Sequence, residues 1–353
     1  MMNVLHVNKD FSGTGAQRVS LQILQRLDSA KCFFAADTNG HTVQGFVDEL
    51  GAKKIERYAV LGLANKTILA LPWATYKLYT FIKRNNIHVV HSHTFVAGIA
   101  ARLAAAIARV PVIHTLHNLP SKKYLPGLYQ LIVQTERALQ RVSAKVICVN
   151  KHHLNLVFPN IGAASATVIP NFMAASNARK KRDVIRNVLF IGRFEFQKNP
   201  ELFIEIAASC NVRNLPLKFR MVGGGALTKS IIRRINRLRA SVEVLGFSHS
   251  PSHHFEWADC IVVTSRYETF SLVIGEGLNA GCHIICGDVD GLAEIWGNAV
   301  HFVPEGGLAE YCDQLEALIR SPPPDLPSIP CDLSESTFVA RYRDVYNECI
   351  RCD

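Results

Sequence analysis

The chain has 353 residues, 48% of them hydrophobic, and a formal net charge of +10. That length predicts two domains of ordinary size. Residues 1–175 carry 19 basic and 7 acidic side chains and residues 176–353 carry 20 and 22, so the basic surplus belongs to the first half.

No apolar run reaches the length of a membrane span, since the best stretch, Ala97 to Ile113, is interrupted by Arg102 and Arg109. Asn8, Lys9 and Asp10 break the apolar opening, so no signal peptide is expected there. Ten cysteines are scattered, and Cys148, Cys260 and Cys286 fall in expected buried strands. This predicts a reducing, cytoplasmic setting and plain core cysteines. The terminal Cys349-Ile350-Arg351-Cys352 has no fold after it and is not read as a redox motif. A basic half without zinc-finger spacing or an aromatic single-strand motif excludes nucleic acid as a partner. An anionic membrane surface is the expected partner instead, as a peripheral attachment.

Asn3 to Val7 is a predicted strand, Asp10 to Gly15 a Gly-rich loop and Ala16 to Leu27 an amphipathic helix. The loop reads G-T-G-A-Q-R, and Arg18 stands where a dinucleotide fingerprint needs its third glycine. A strand near Cys32 to Ala36 and a helix around Val43 to Leu50 follow. The segment Lys66 to Asn85 has Pro72 as a first helical position and mixes Trp73, Tyr76 and Tyr79 with Lys77, Lys83 and Arg84. It reads either as a packed helix of an α/β layer or as an interfacial element. Ile87 to His91 is a strand that places His91 and His93 on one face, but no nearby carboxylate or thiolate completes a metal site, so none is expected. A small-residue helix from Ala97, a strand ending at His117 and a loop with Lys122, Lys123, Leu125 and Leu128 come next. A helix from Gln130 and a strand from Lys145 to Val149 close the first domain.

The second domain opens with an apolar strand, Asn187 to Gly192, and the loop R-F-E-F-Q-K-N-P. Arg193 and Lys198 therefore stand at the carboxyl end of a strand, where open α/β sheets bind ligands. Gly223, Gly224 and Gly225 end the strand Leu217 to Val222 and let backbone approach a ligand. The loop from Phe247 is a candidate for contacting a base. Cys260 to Val263 is a buried parallel strand, followed by Ser265 to Thr269 as a loop and a helix that stops at Gly281. The backbone N–H groups of Thr269, Phe270, Ser271 and Leu272 are expected to open that helix and to receive a diphosphate. Glu268 points to hydroxyls rather than phosphate, and Glu276, about two turns on, to a ribose. Read from the residues alone, the two glutamates are equally well a helix cap and a solvated face residue.

The stretch S-R-Y-E-T-F-S-L-V-I-G-E-G-L-N-A-G, with D-V-D-G-L-A-E after it, resembles the E-x7-E signature of family 4 retaining glycosyltransferases. G-T-G-A-Q-R resembles that family's opening G-G-A-E-R, V-V-H-S-H-T with P-V-I-H-T-L-H-N its βαβ unit, and G-R-F-E-F-Q-K-N-P its phosphate loop. This sequence departs from the pattern at Gln17, at Ser271 where the family has Gly, and at His283-Ile284 where it has Pro-Val.

The resemblance implies the GT-B fold, two Rossmann-like α/β domains facing each other across a cleft, with a last helix crossing back to the first. The expected bounds are 1–172 for an acceptor-side domain, 173–333 for the nucleotide-sugar domain and 334–353 for the crossover helix. It implies retaining transfer of a sugar from a nucleoside diphosphate sugar, UDP being the expected nucleotide, to a glycan or lipid-linked acceptor in envelope polysaccharide or lipopolysaccharide assembly. It implies neither metal nor cofactor. Catalysis is assigned to His117, Glu268, Arg193 and Lys198. Donor binding is assigned to Gly15, Gly223, Gly224, Phe247, Thr269, Phe270, Ser271, Leu272 and Glu276. A nucleotide-sugar epimerase and a non-catalytic nucleotide-sugar-binding scaffold are the alternatives.

Overall fold

The computed structural model describes residues 2–13, 15–27, 30–64, 68–162, 165–173, 184–248, 250–303, 307–322 and 329–351. Lys66, the basic stretch 179–182 and Cys352 lie outside the described residues. The chain divides into two compact units, Met1–Asn171 with Glu335–Asp353, and Phe172–Ser334.

The first unit holds a seven-stranded sheet of β1 (Met2–Asp10), β2 (Ala30–Asp37), β3 (Glu56–Ala59), β4 (Val89–His93), β5 (Val112–Leu116), β6 (Lys145–Cys148) and β7 (Ala166–Val168). Its order is β3-β2-β1-β4-β5-β6-β7, and every pairing is parallel. The central strands β4, β5 and β6 are buried on both faces, as the middle of a parallel sheet covered by helices is. The alanine-rich helix Phe95–Ala108 packs Ala97, Ala100, Ala101, Ala104 and Ala105 against Leu78 and Ile82 of the helix Leu71–Arg84. That second helix buries Ala74, Leu78 and Ile82, as a packed helix of an α/β layer does, and leaves Trp73 and Tyr76 exposed.

The second unit holds β8 (Asn187–Ile191), β9 (Lys218–Val222), β10 (Val242–Val244), β11 (Cys260–Val263), β12 (His283–Gly287) and β13 (His301–Val303). Their order is β10-β9-β8-β11-β12-β13, again parallel throughout. The chain leaves β8 toward β9 on one side and returns to β11 on the other. That reversal opens a crevice at the carboxyl ends of β8 and β11, the place where such sheets hold ligands. In the first unit the reversal falls between β1 and β4.

The last helix, Glu335–Arg351, belongs to the first unit. Phe338, Tyr342, Val345 and Tyr346 form its buried face. Among the described residues, no helix is long and apolar enough to cross a membrane. Of the described cysteines, Cys331 is exposed and the other eight are buried and free.

Candidate active site

In the second unit the loop after β8 carries Arg193 and Lys198, and the loop after β11 carries Glu268. Lys198 Nζ donates to Glu268 Oε2, and the two side chains are 20% and 12% exposed. Ser265 Oγ donates to the same carboxylate oxygen at 3.4 Å. Thr264 Oγ1 donates to the carbonyls of Lys198 and Asn199 at 3.0 and 2.9 Å, so the two loops are stitched together at their bases. Arg193 stays outside, 61% exposed and paired with Glu195 at 2.8 Å.

The backbone of Glu268 is fixed from a third loop, because its N–H donates to Asp290 Oδ2 at 2.9 Å. Asp290 and Gly291, in D-V-D-G, both have positive φ, 49° and 80°. Sequence reasoning quoted this motif and gave Asp290 no role. The fully buried Trp296 donates its indole N–H to the Phe270 carbonyl at 2.7 Å and holds the next stretch of the loop.

The helix runs Leu272–Asn279 with Ser271 as its N-cap. It opens later than the sequence predicts. Thr269 and Phe270 are buried ahead of the helix and are not part of its first turn. The reason is Ser271, whose φ of 61° and ψ of 88° break the helical run. Left-handed backbone suits glycine and strains a residue with a Cβ. The family's usual Gly at this position therefore has a conformational cause. The Ser271 side chain does not cap the helix, and its buried Oγ has no hydrogen-bond partner among the described residues. Glu276 lies exposed on the helix with no hydrogen-bond or ion-pair partner among the described residues. Protein crowding around its carboxyl still raises its pKa above the ordinary value.

Gly223 and Gly225 sit where no side chain fits. A Cβ on Gly223 would lie 1.9 Å from the Gly192 carbonyl oxygen, and one on Gly225 2.7 Å from the Phe194 carbonyl oxygen. The loops after β8 and β9 thus pack backbone to backbone. Gly224 between them meets nothing within 4 Å, so its face is open. Phe247, beyond β10, is 70% exposed.

In the first unit Gly15 is the N-cap of the helix Ala16–Leu24, with φ 45° and open space where a Cβ would stand. The loop before it is organised by Asp10, whose Oδ1 accepts from Ser12 N at 3.2 Å and from Gln17 Nε2 at 2.7 Å. Arg18 pairs with Glu49 at 2.5 Å. His117 directly follows β5, and its Nε2 lies 2.8 Å from His93 Nδ1. The residue is partly buried, and burial pushes its pKa down to about 4. Sequence reasoning found no third partner for His91 and His93. The sheet supplies one in His6, whose β1 position pairs in register with His91. All three rings are buried, with one nitrogen of each within 4.8 Å of the others.

On the other face of this sheet, His114 Nδ1 and Ser92 Oγ are 2.9 Å apart. Arg102 donates to both oxygens of Glu136 at 2.7 and 2.8 Å. Both side chains are fully buried, and burial is the chief cause that holds His114 at a pKa of about 3.

Two family models match the chain, "Glycosyltransferase Family 4" over residues 14–176 and "Glycosyl transferases group 1" over residues 185–321. Among curated relatives, a D-inositol 3-phosphate glycosyltransferase of Arthrobacter sp. is 24% identical over 66% of this chain and 62% of its own length. The Escherichia coli UDP-Gal:alpha-D-GlcNAc-diphosphoundecaprenol alpha-1,3-galactosyltransferase is 26% identical over 61% of both chains. The matches thus span a little under two thirds of these relatives. Among solved structures, Anabaena HepE in complex with UDP-glucose has a TM-score of 0.76 at 19% identity, covering 99% of this chain and 98% of that one. The apo lipopolysaccharide outer core galactosyltransferase WaaB has a TM-score of 0.71 at 13% identity, covering 98% and 99%. These likenesses and the two parallel sheets give the chain the GT-B fold. The first unit thus carries a glycosyltransferase family 4 domain and the second a glycosyl transferases group 1 domain.

Proposed function

We propose that the chain transfers a sugar, with retention at the anomeric carbon, from a nucleoside diphosphate sugar to a glycan or lipid-linked acceptor. The observation that carries this is the meeting of Lys198 and Glu268 at the carboxyl ends of β8 and β11, with Arg193 on the same loop as Lys198 and a helix that opens at Leu272 soon after Glu268. Cations and a helix N-terminus suit a diphosphate, and a carboxylate beside them suits sugar hydroxyls.

In this reading Arg193 and Lys198 offset the charge that grows on the departing diphosphate, as a divalent ion would otherwise do. The bond from the anomeric carbon to the phosphate oxygen breaks, and a bond to the acceptor oxygen forms on the same face. The acceptor proton passes to the departing phosphate. Glu268 holds the donor sugar, Glu276 the ribose and Phe247 the base. Gly224 admits the donor past bare backbone, and Gly223 serves donor binding by letting the loops after β8 and β9 pack closely. Ser271 and Leu272 serve the phosphates, with Thr269 and Phe270 shaping the loop ahead of them. Gly15 and His117 are the first unit's contributions, His117 as a catalytic residue. UDP is the proposed nucleotide, as in the HepE complexes.

The acceptors named for the Escherichia coli relative and for WaaB support a lipid-linked or lipopolysaccharide substrate. The exposed Trp73 and Tyr76, with Lys77 4.6 Å from the Trp73 ring, support peripheral attachment to an anionic membrane.

Incubation with a panel of nucleotide sugars tests the reading. Slow donor hydrolysis without acceptor is expected, whereas an altered sugar would indicate an epimerase, and binding alone a scaffold. Glu276→Ala should weaken nucleoside diphosphate binding by about 1.5–3 kcal/mol, the range for hydrogen bonds to a charged group. Unchanged affinity by calorimetry would remove Glu276 from the ribose.

A further inference from the structure

Beneath His117 lies a continuous buried chain of hydrogen bonds. His117 Nε2 is 2.8 Å from His93 Nδ1, and His93 Nε2 is 3.0 Å from His6 Nδ1. His6 Nε2 is 2.8 Å from the Tyr346 hydroxyl, which is 2.7 Å from His91 Nδ1. His91 Nε2 lies 2.7 Å from Thr115 Oγ1, whose side chain in turn meets Tyr342. Three strands and the last helix contribute. The register explains the line-up, since His6 pairs with His91 and His93 with Thr115, and alternate strand positions share a face. Every ring nitrogen of His6, His91 and His93 already has a protein partner. The cluster is therefore a hydrogen-bond network rather than an empty ligand set.

Two ring nitrogens at 2.8 or 3.0 Å need one proton between them, because two lone pairs repel and two protons collide. Burial holds the pKa of His6, His91 and His93 well below the ordinary value, so each ring carries one N–H. The protons must therefore all point one way along the chain. Either they run from Tyr346 toward His117, or from His117 toward Tyr346. The choice is made at Ser20, whose Oγ lies 2.7 Å from His6 Nδ1 and already accepts from Asn8 Nδ2 at 3.0 Å. Ser20 is fully buried, and with the Asn8 amide turned to donate and its Oδ1 left without a partner among the described residues, His6 Nδ1 is the acceptor beside the Ser20 hydroxyl. If His6 Nδ1 carried a proton, the serine hydroxyl would be a buried donor without an acceptor, which is costly.

We propose that Ser20, His6, His93 and Tyr346 are positioning residues that hold His117 as the Nε2–H tautomer, leaving its Nδ1 as an open acceptor. His6 Nδ1 takes both the Ser20 hydroxyl and His93 Nε2–H. His6 Nε2–H then donates to Tyr346, and Tyr346 to His91. At the other end His117 Nε2–H donates to His93 Nδ1. His117 Nδ1 has no partner among the described residues and carries a lone pair. Resting on the reading of His117 as catalytic, this assigns it the task of accepting a hydrogen bond from a donor hydroxyl, not of donating one.

The test is nitrogen NMR on the full chain labelled with 15N-histidine at pH 7.5, with His117 assigned through His117→Gln. Native protein should show a protonated Nε2 and a bare Nδ1 at His117, and a protonated Nδ1 would overturn the proposal. The double variant Ser20→Ala with Tyr346→Phe removes the serine proton and leaves His6 Nε2 without a partner. A bare nitrogen is tolerated there better than an orphaned N–H, so the order should reverse and the His117 proton should move to Nδ1. An unmoved proton in folded double variant would also overturn it. The same variant should lose roughly tenfold or more in kcat with little change in donor KM, as a wrong tautomer does elsewhere. If His117→Ala leaves turnover intact, the catalytic role of His117 falls while the tautomer assignment still stands on the NMR.

Discussion

Lys198 and Glu268 are 70 residues apart in sequence and form an ion pair between the loops after β8 and β11. Each holds the other in place, so a cation and a carboxylate stand side by side between the two loops. Lys198→Ala should lower kcat by about 10²-fold, the scale for removing one group that stabilises developing negative charge. Arg193→Ala should also lower kcat, by less, since Arg193 is 61% exposed. Charge on the diphosphate grows toward the transition state, so the loss belongs in turnover. Steady-state kinetics showing only a raised donor KM in both variants would remove the leaving-group role.

Ser271 combines a left-handed backbone with a buried hydroxyl that has no partner among the described residues. Ser271→Gly relieves the first and removes the second. It should raise the free energy of unfolding by about 1–2 kcal/mol. Ser271→Ala removes only the hydroxyl and should give a smaller gain. Urea midpoints ranked glycine, alanine, serine from highest to lowest confirm the account, and a less stable glycine variant contradicts it. Binding of nucleoside diphosphate should weaken in both variants if the hydroxyl reaches the phosphate.

The buried histidines make stability depend on pH. His6, His91, His93 and His114 are buried, and their folded-state pKa values lie below the ordinary 6.5. The unfolded chain then binds protons that the folded chain refuses. Stability is fully present above pH 6.5 and is lost as pH falls through it. Each such histidine costs about 2 kcal/mol between pH 7.5 and pH 5. Denaturant unfolding of the first unit, followed by hydrogen exchange at β1 and β4, should show a steep loss over that interval. A flat profile would mean that the imidazoles are not neutral in the fold.

The exposed Leu69, Trp73, Tyr76, Leu128 and Leu131, with Lys122 and Lys123, predict electrostatic binding to anionic vesicles. Roughly 1 kcal/mol is available per basic residue at such a surface. Sedimentation should carry the protein down with anionic liposomes at low salt and release it at 1 M salt, where screening shortens to roughly 3 Å. Equal recovery in every supernatant would leave the basic first half without this role.

The second unit was the more legible in sequence. Cys260-Ile261-Val262-Val263 reads as a buried strand and the loops beside it carry a spaced motif, so the residues themselves place Arg193, Lys198 and Glu268 at strand ends. The start of the helix after β11 was not legible, because the left-handed turn at Ser271 is normally announced by glycine. The histidine network was hidden for a different reason. His6 stands in a short apolar run, 85 residues before His91, and only the β1–β4 pairing brings them together. Knowing that the strand order reverses between those two strands is the signal that would have found it. Tyr346 was further out of reach, on a helix assigned to the first domain only by resemblance.

That assignment has a consequence for how the protein is made. The first unit is interrupted in sequence by the whole second unit, about 160 residues. At ordinary synthesis rates the ribosome needs on the order of 10–30 seconds to cross that distance. Throughout this interval the nascent sheet holds His6 and His91 without the tyrosine hydroxyl that joins them. The second domain, continuous in sequence, can finish folding while the first still waits for its last helix. Translation therefore reverses the order in which the two domains mature: the one begun first is completed last.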